Sequence, residues 1–141
     1  MRRVVLDTSA VVRLYVPDGP LPDRMLSAIE DAARGEVLLL APELLLAEVA
    51  QVLWKKEQRG HLTPSEAAEV LEAIVALPVN LVTHRELLPS AVELARRQGL
   101  TVYDALFLAL AERHGAALVT ADQALRDASE GHRLRAPAAP D

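Results

Sequence analysis

Cysteine is absent from this sequence. Its absence excludes disulfide bonds, thiolate nucleophiles and cysteine-based zinc sites, and it suits a reducing cytoplasm. Aromatic residues make up only 3% of the chain, whereas hydrophobic residues make up 51% and are mostly aliphatic. This composition is typical of a globular protein with an aliphatic core and not of a disordered chain. A length of 141 residues predicts one domain that buries its own core.

Long apolar runs and a positive net charge are also missing. The apolar run behind Arg2 and Arg3 stops at Asp7, which is too short for a signal-peptide core. No stretch approaches the roughly 20 apolar residues of a membrane span, so we expect a soluble cytoplasmic protein without a membrane partner. The formal net charge of -5 counts against simple high-affinity nucleic-acid binding. It leaves a nuclease open, because acids clustered around a metal lower the apparent charge.

Strand-like and helix-like segments alternate along the chain. Short, mainly apolar runs predict strands at residues 4–6, 37–40, 79–82 and 117–120. Because these runs do not alternate in polarity, the pattern indicates an α/β fold whose parallel sheet is covered by helices on both faces.

The segments between the strands carry helix patterns and helix caps. A helix is predicted over residues 21–33. Further along the chain, Thr63 followed by Pro64 predicts the N-cap and the first residue of a helix that runs to about residue 76. Near the end of the chain, residues 133–135 are the candidate for an additional edge strand. We expect residues 1–135 to form the domain and residues 136–141 an irregular C-terminal tail.

Four carboxylates lie at or near the ends of predicted strands or helices. Asp7 closes the first strand, Asp122 follows the last one, Glu48 interrupts an apolar stretch and Asp104 opens another. Ligands of parallel sheets bind beyond the carboxyl ends of the strands. An unpaired carboxylate is costly in apolar surroundings, so a hard divalent cation is the natural partner of such a cluster. The chemistry that follows is metal-assisted hydrolysis of a phosphodiester.

Each of the four acids has a structural alternative as well. Asp7 is a potential helix cap, although Thr8 and Ser9 offer the same function and would leave Asp7 free at the strand tip. Asp122 is placed to cap the helix that follows it. Asp104 stands in the first turn of a helix, where the helix dipole favours a negative charge. The functional interpretation therefore depends on the four acids occurring together.

The segment that carries Glu48 holds further candidates. Glu48 is flanked by apolar residues, and its structural alternative is an exposed stripe shared with Gln51 and Lys55. Trp54, the sole tryptophan, is expected in the core, with a contact to a partner protein as the alternative. Arg13, just after the first acid, is either a phosphate contact or a surface residue.

The four acids and their neighbours together resemble the ordered motifs of PIN-domain ribonucleases. The resemblance rests on Asp7 with its flanks from Val4 to Ala10, on Pro42 with the stretch 47–49 around Glu48, on residues 103–106 and on residues 118–122. It covers residues 3–134 approximately, and the most similar subgroup is the VapC-type toxins of prokaryotic toxin–antitoxin pairs. It implies a three-layer α/β/α sandwich with a parallel sheet of about five strands.

The same resemblance implies a function and a site. It identifies Asp7, Glu48, Asp104 and Asp122 as the catalytic, metal-binding acids, with Thr120 as a polar supporting residue. It implies Mg²⁺ or Mn²⁺ as the cofactor, RNA as the substrate, a cognate antitoxin as a partner protein and a homodimer as the assembly. Oxygen ligands without cysteine also favour these ions over zinc.

Other proteins that place an acid after the first strand fit less well. A phosphotransferase of the haloacid-dehalogenase type requires a second aspartate at position 9, which is Ser9 here. A receiver-type signalling domain requires a late lysine, and no lysine follows Lys56. A dinucleotide-binding domain requires glycines after the first strand. The alternative that stays open is a non-catalytic PIN-like module that binds RNA or a protein.

Overall fold

The structure is a computed structural model that describes the backbone of residues 1–135 and the side chains of residues 1–131. Its strands are β1 (Arg2–Leu6), β2 (Val37–Pro42), β3 (Val79–Val82) and β4 (Ala117–Val119). Its helices are α1 (Thr8–Arg13), α2 (Met25–Ala33), α3 (Leu44–Gln58), α4 (Pro64–Val75), α5 (Leu88–Gln98), α6 (Val102–His114) and α7 (Gln123–Arg135), and one 3₁₀ turn, Arg85–Leu87, precedes α5. No helix in these residues is long and apolar enough to cross a membrane.

The strands form one parallel sheet in the order β3-β2-β1-β4. This arrangement confirms the predicted parallel α/β fold. The sheet of the described residues has four strands, whereas about five were predicted. The predicted edge strand at 133–135 is wrong, because Gly131 adopts no positive φ and α7 continues through it to residue 135. The predicted irregular tail at 136–141 lies outside the described residues.

Helix α2 begins four residues later than the sequence pattern predicts. Arg24, directly before it, has a left-handed backbone with φ of 71°. A non-glycine residue in this conformation cannot continue a right-handed helix. The chain from residue 21 to Arg24 is therefore a turn, in which the amide of Met25 donates to the carbonyl of Pro22 over 3.2 Å.

Helix α6 lies in the core of the molecule. Every residue from Ala105 to Ala111 is buried, as expected for a helix that is apolar on all sides. It packs against α5 and against strands β1 and β2. Phe107, on this helix, is the one fully buried aromatic side chain in the described part of the chain. The burial of α6 fixes its first turn, which carries Asp104, beside the carboxyl ends of the central strands.

Candidate active site

Asp7 is buried directly after β1, with 4% of its surface exposed. Its Oδ1 atom accepts hydrogen bonds from the amide of Ala10 at 3.0 Å and from Oγ of Ser9 at 2.8 Å. Asp7 is therefore the N-cap of α1, and the alternative that Thr8 or Ser9 caps this helix is wrong. The second carboxylate oxygen, Oδ2, accepts a hydrogen bond of 2.6 Å from the hydroxyl of Thr120.

Two hydroxyl groups fasten the loop after β4 to Asp7. Thr120 is buried. Its hydroxyl oxygen accepts a 3.0 Å hydrogen bond from the amide of Asp122, and the same hydroxyl group donates a hydrogen bond to Asp7. Oγ of Ser9 accepts from the amide of Ala121 at 2.9 Å. These bonds are possible because β1 and β4 are neighbours in the sheet, so that their carboxyl ends meet. The strand order thus brings residues from the two ends of the chain together.

Asp122 and Asp104 both stand at helix starts. Oδ1 of Asp122 accepts from the amide of Leu125 at 2.9 Å, so Asp122 caps α7 as its structural alternative proposed. Asp104 lies in the first turn of α6, where Oγ1 of Thr101 accepts from its amide at 3.1 Å. The cap of α6 is therefore Thr101, and the carboxylate of Asp104 is not required for capping.

Glu48 projects from the middle of α3 toward α1. Its Oε1 atom accepts a hydrogen bond of 2.8 Å from the hydroxyl of Thr8. The exposed-stripe alternative holds only in part, because Gln51 and Lys55 are exposed on the same face of α3, whereas Glu48 is half-buried. That face is one wall of a cleft, so the stripe and the functional interpretation are compatible.

All four acids line this cleft, which has a volume of about 440 Å³. The remaining wall residues come mainly from α1, α3 and the segment after α1. Sequence reasoning placed Thr8 and Ser9 only as helix caps, yet Thr8 holds Glu48 and Ser9 holds Asp7. The sequence feature that could have predicted this role is the position of two hydroxyl residues directly after a strand-ending aspartate.

Burial and mutual repulsion raise the pKa of three of these carboxyls. Desolvation is the largest cause for Asp7, Glu48 and Asp104 alike. The charge of Asp104 also raises the pKa of Asp7 and of Glu48, and Asp122 raises that of Asp104. Hydrogen bonds from Thr120 and Thr8 oppose the increase at Asp7 and at Glu48, respectively. The cluster thus holds negative charge that its surroundings do not fully compensate.

A hard divalent cation fits this set of donors. The acids and hydroxyls offer oxygen atoms, as Mg²⁺ and Mn²⁺ require. Within the described residues, however, no three acidic or histidine side chains approach closely enough to hold one ion together. A divalent ion held here would therefore take one or two carboxylates directly and keep waters as its other ligands.

Trp54 is half exposed, with 50% of its surface accessible. The prediction that it packs in the core is wrong. Helix α3 buries Leu45, Val49 and Leu53 instead, and this row of residues lies on a face from which Trp54 points away.

The sequence is similar to proteins of known family. A family model described as PIN domain matches residues 4–131. Ribonuclease VapC3 of Pyrobaculum aerophilum is 37% identical over 129 residues, which cover 89% of this chain and 93% of that protein. Ribonuclease VapC3 of Mycobacterium tuberculosis is 34% identical over 123 residues, which cover 87% of this chain and 85% of that protein.

Two crystal structures are similar in fold. PAE2754 from Pyrobaculum aerophilum has a TM-score of 0.68 at 24% identity, covering 95% of this chain and 96% of that one. VapC20 of Mycobacterium tuberculosis, a toxin that cleaves the sarcin–ricin loop, has a TM-score of 0.62 at 17% identity. That match covers 89% of this chain and 94% of VapC20. At these identities, the similarity shows a common fold.

Proposed function

The chain belongs to the PIN domain family, and from this premise we propose that it is a metal-dependent endoribonuclease of the VapC type, the toxin of a toxin–antitoxin pair. Its relatives with more than 30% identity are named as ribonucleases and align over most of their length. The observation that carries the proposal is the convergence of four carboxylates in one cleft at the carboxyl ends of β1 and β4. The substrate class is RNA, and the bond cleaved is a phosphodiester.

We assign the site residues as follows. Asp7 and Asp104 are the principal metal ligands, and Glu48 and Asp122 complete the site directly or through water. Thr120 supports the site by fixing one oxygen of Asp7 and the backbone of Asp122. The cofactor is Mg²⁺ or Mn²⁺. When bound, the ion supplies an activated water and stabilises charge on the phosphate and on the leaving oxygen.

The chain's own residues supply orientation and proton transfer. Asp7 is held by three hydrogen bonds, so its carboxylate keeps one position during the reaction. Glu48 is half-buried with a raised pKa, which suits a group that accepts a proton from the attacking water. The water oxygen then bonds to phosphorus, and the bond from phosphorus to the leaving nucleotide oxygen breaks.

The assembly and setting follow from the same family membership. We propose that residues 1–135 act as a single PIN domain, that the protein forms a homodimer and that a cognate antitoxin inhibits it. The setting proposed for it is the cytoplasm, where its RNA substrates are found.

Cleavage of a mixed RNA pool tests the proposal. With Mg²⁺ or Mn²⁺, we expect the wild-type protein to cut RNA and EDTA to stop it. Asp7→Asn keeps the size of the side chain but removes a ligand charge, so activity should fall by at least about a hundredfold. Asp23→Asn, at an exposed aspartate outside the cleft, is the matched control and should cut normally.

The same assay separates the alternative function. A non-catalytic module that binds RNA or a partner protein would leave the pool intact with either metal, although it retains the fold. Full cleavage by the Asp7→Asn variant would instead contradict the assignment of the site.

A further inference from the structure

One face of α3 connects the acidic cluster to a cation. Glu48, Gln51 and Lys55 are spaced by three and four residues and all line the cleft. Residues at this spacing share one face of a helix. With a rise of 1.5 Å per residue, Lys55 lies about 10 Å along the helix axis from Glu48. Along this wall of the cleft, the carboxylate of Glu48 is followed by the amide of Gln51 and then by the ammonium group of Lys55.

Lys55 is the cation of this cleft that remains available to a ligand. The cleft is lined by five acids and by two basic residues, Arg13 and Lys55. Arg13 donates to the carbonyl of Pro20 at 3.1 Å, and its guanidinium lies against Gly19. Lys55 is exposed and has neither a hydrogen bond nor an ion pair with any side chain that the structure describes.

The neighbouring lysine serves a different purpose. Lys56 forms an ion pair with Asp18, which belongs to the segment between α1 and α2 and also lines the cleft. Its side chain is largely buried, with 13% exposed. Lys56 therefore connects that segment to α3 and is not available to a ligand. Of the two basic residues that line the cleft, Arg13 is bound to a backbone carbonyl, and Lys55 has no side-chain partner among the described residues.

We propose that Lys55 binds a backbone phosphate of the RNA to one side of the acidic cluster, and that the amide of Gln51 contacts the strand between the two. The proposal rests on the proposed ribonuclease function. A negative cleft repels RNA, so a free cation on its wall contributes directly to substrate binding. The separation of about 10 Å along α3 between Glu48 and Lys55 places this contact on a phosphate next to the cleaved region and not on the cleaved phosphate itself.

A lysine acts as a point charge, so the contact positions the strand without reading its sequence. Lys55 should therefore affect the binding of every RNA to the same extent. The alternative is that Lys55 is only a solvated charge on a helix surface. Arg3, an exposed residue of β1, separates the two explanations because it carries the same charge, lies on a different element and does not line the cleft.

Fluorescence anisotropy with the inactive Asp7→Asn chain measures the contact without cleavage. The probe is a short, labelled, single-stranded RNA of mixed sequence at a fixed low Mg²⁺ concentration. We expect Lys55→Gln to weaken binding about five- to tenfold, and to reduce the slope of log Kd against log salt by about one. Arg3→Gln should change Kd by less than about twofold, and Lys55→Arg should retain most of the affinity.

Cleavage kinetics in the otherwise wild-type chain give the second readout. A positioning contact outside the reacting groups predicts that Lys55→Gln raises KM severalfold and changes kcat by less than about twofold. Equal effects of Lys55→Gln and Arg3→Gln, or an unchanged salt slope, would refute the contact.

The two proposals fail in different ways. If the wild-type protein binds RNA through Lys55 but never cleaves it, the ribonuclease function is wrong and the contact stands. If it cleaves RNA while Lys55→Gln behaves as wild type in both assays, the contact is wrong and the function stands.

Discussion

Asp7 uses both of its carboxylate oxygens within the protein. One oxygen caps α1, and the other is bound by Thr120. The cap and the functional interpretation therefore do not compete, since a carboxylate accepts several hydrogen bonds and still presents lone pairs to an ion. The same bonds orient Asp7 toward the cleft, so the cap contributes to the geometry of the site.

Thr120 is the residue whose hydroxyl joins the two strand ends. Replacing it by valine keeps the shape and removes the donor to Asp7 and the acceptor for the amide of Asp122. Because these groups are buried or half-buried, we expect the free energy of unfolding to fall by about 1–3 kcal/mol. RNA cleavage should fall as well, since Asp7 loses one of the bonds that orient it. Urea unfolding and the cleavage assay measure the two effects.

Thr120→Ser is the matched control for this prediction, since it keeps the hydroxyl and removes only a methyl group. We expect it to cleave RNA at close to the wild-type rate. Loss of cleavage in the serine variant, with the valine variant unaffected, would show that the methyl group and not the hydroxyl supports the site.

At the level of elements, local caps determine several helix starts. Thr63 and Glu66 form a capping box, in which the amide of Glu66 donates to Thr63 at 3.1 Å and the amide of Thr63 donates to Glu66 at 2.9 Å. Both bonds are visible in the sequence pattern, because cap residues and their partners are separated by three positions. Helix α4 accordingly begins where it was predicted.

Thr63→Ala should remove the side-chain cap of α4 and make the protein less stable. We expect the free energy of unfolding to fall by about 1 kcal/mol, and RNA cleavage to be unchanged because α4 does not line the cleft. Ser65→Ala, at an exposed first-turn position without a side-chain cap bond, is the control. Similar stability of the two variants in urea unfolding would contradict the role of the capping box.

The elements that sequence reasoning missed depend on contacts beyond their own residues. The turn before α2 requires a left-handed backbone at Arg24, and an arginine in the sequence does not predict that conformation. Helix α7 continues through Gly131 to residue 135, where the sequence predicted an edge strand. For Trp54, apolar character alone predicted the core, but α3 buries the row Leu45, Val49 and Leu53 instead. The strand β3 was predicted with its bounds, since a short apolar run with flanking breakers is local information.

For the whole molecule, the strand order unites acids that are far apart in sequence. The pairing of β1 with β4 joins Asp7 to the loop of Asp122, and the burial of α6 brings Asp104 to the same edge. The positions of these acids at strand and helix ends predicted a common site, because carboxyl ends of parallel strands share one edge. Their distances and their hydroxyl partners were not predictable, since they depend on how α1, α3 and α6 pack.

Gathering these acids should make the stability of the metal-free protein depend on pH. Desolvation raises the pKa of Glu48, and the charges of Asp104 and Asp7 raise it further. A carboxyl with a raised pKa binds its proton more tightly in the folded state than in the unfolded state. Its stabilising contribution is complete below the unfolded-state pKa of about 4.3 and is lost as the pH rises through the folded-state pKa.

Glu48→Gln isolates this effect, because glutamine still accepts the hydrogen bond from Thr8 and carries no charge. In EDTA, we expect the variant to gain stability relative to wild type as the pH rises from about 4 toward neutrality. Added Mg²⁺ should then stabilise wild type at neutral pH more than it stabilises the variant, because ion binding favours the charged, folded site. Thermal unfolding across this pH range, with Asp23→Asn as an exposed control, measures the difference. A wild type whose metal-free stability rises relative to Glu48→Gln over that range would show that repulsion within the cluster does not govern it.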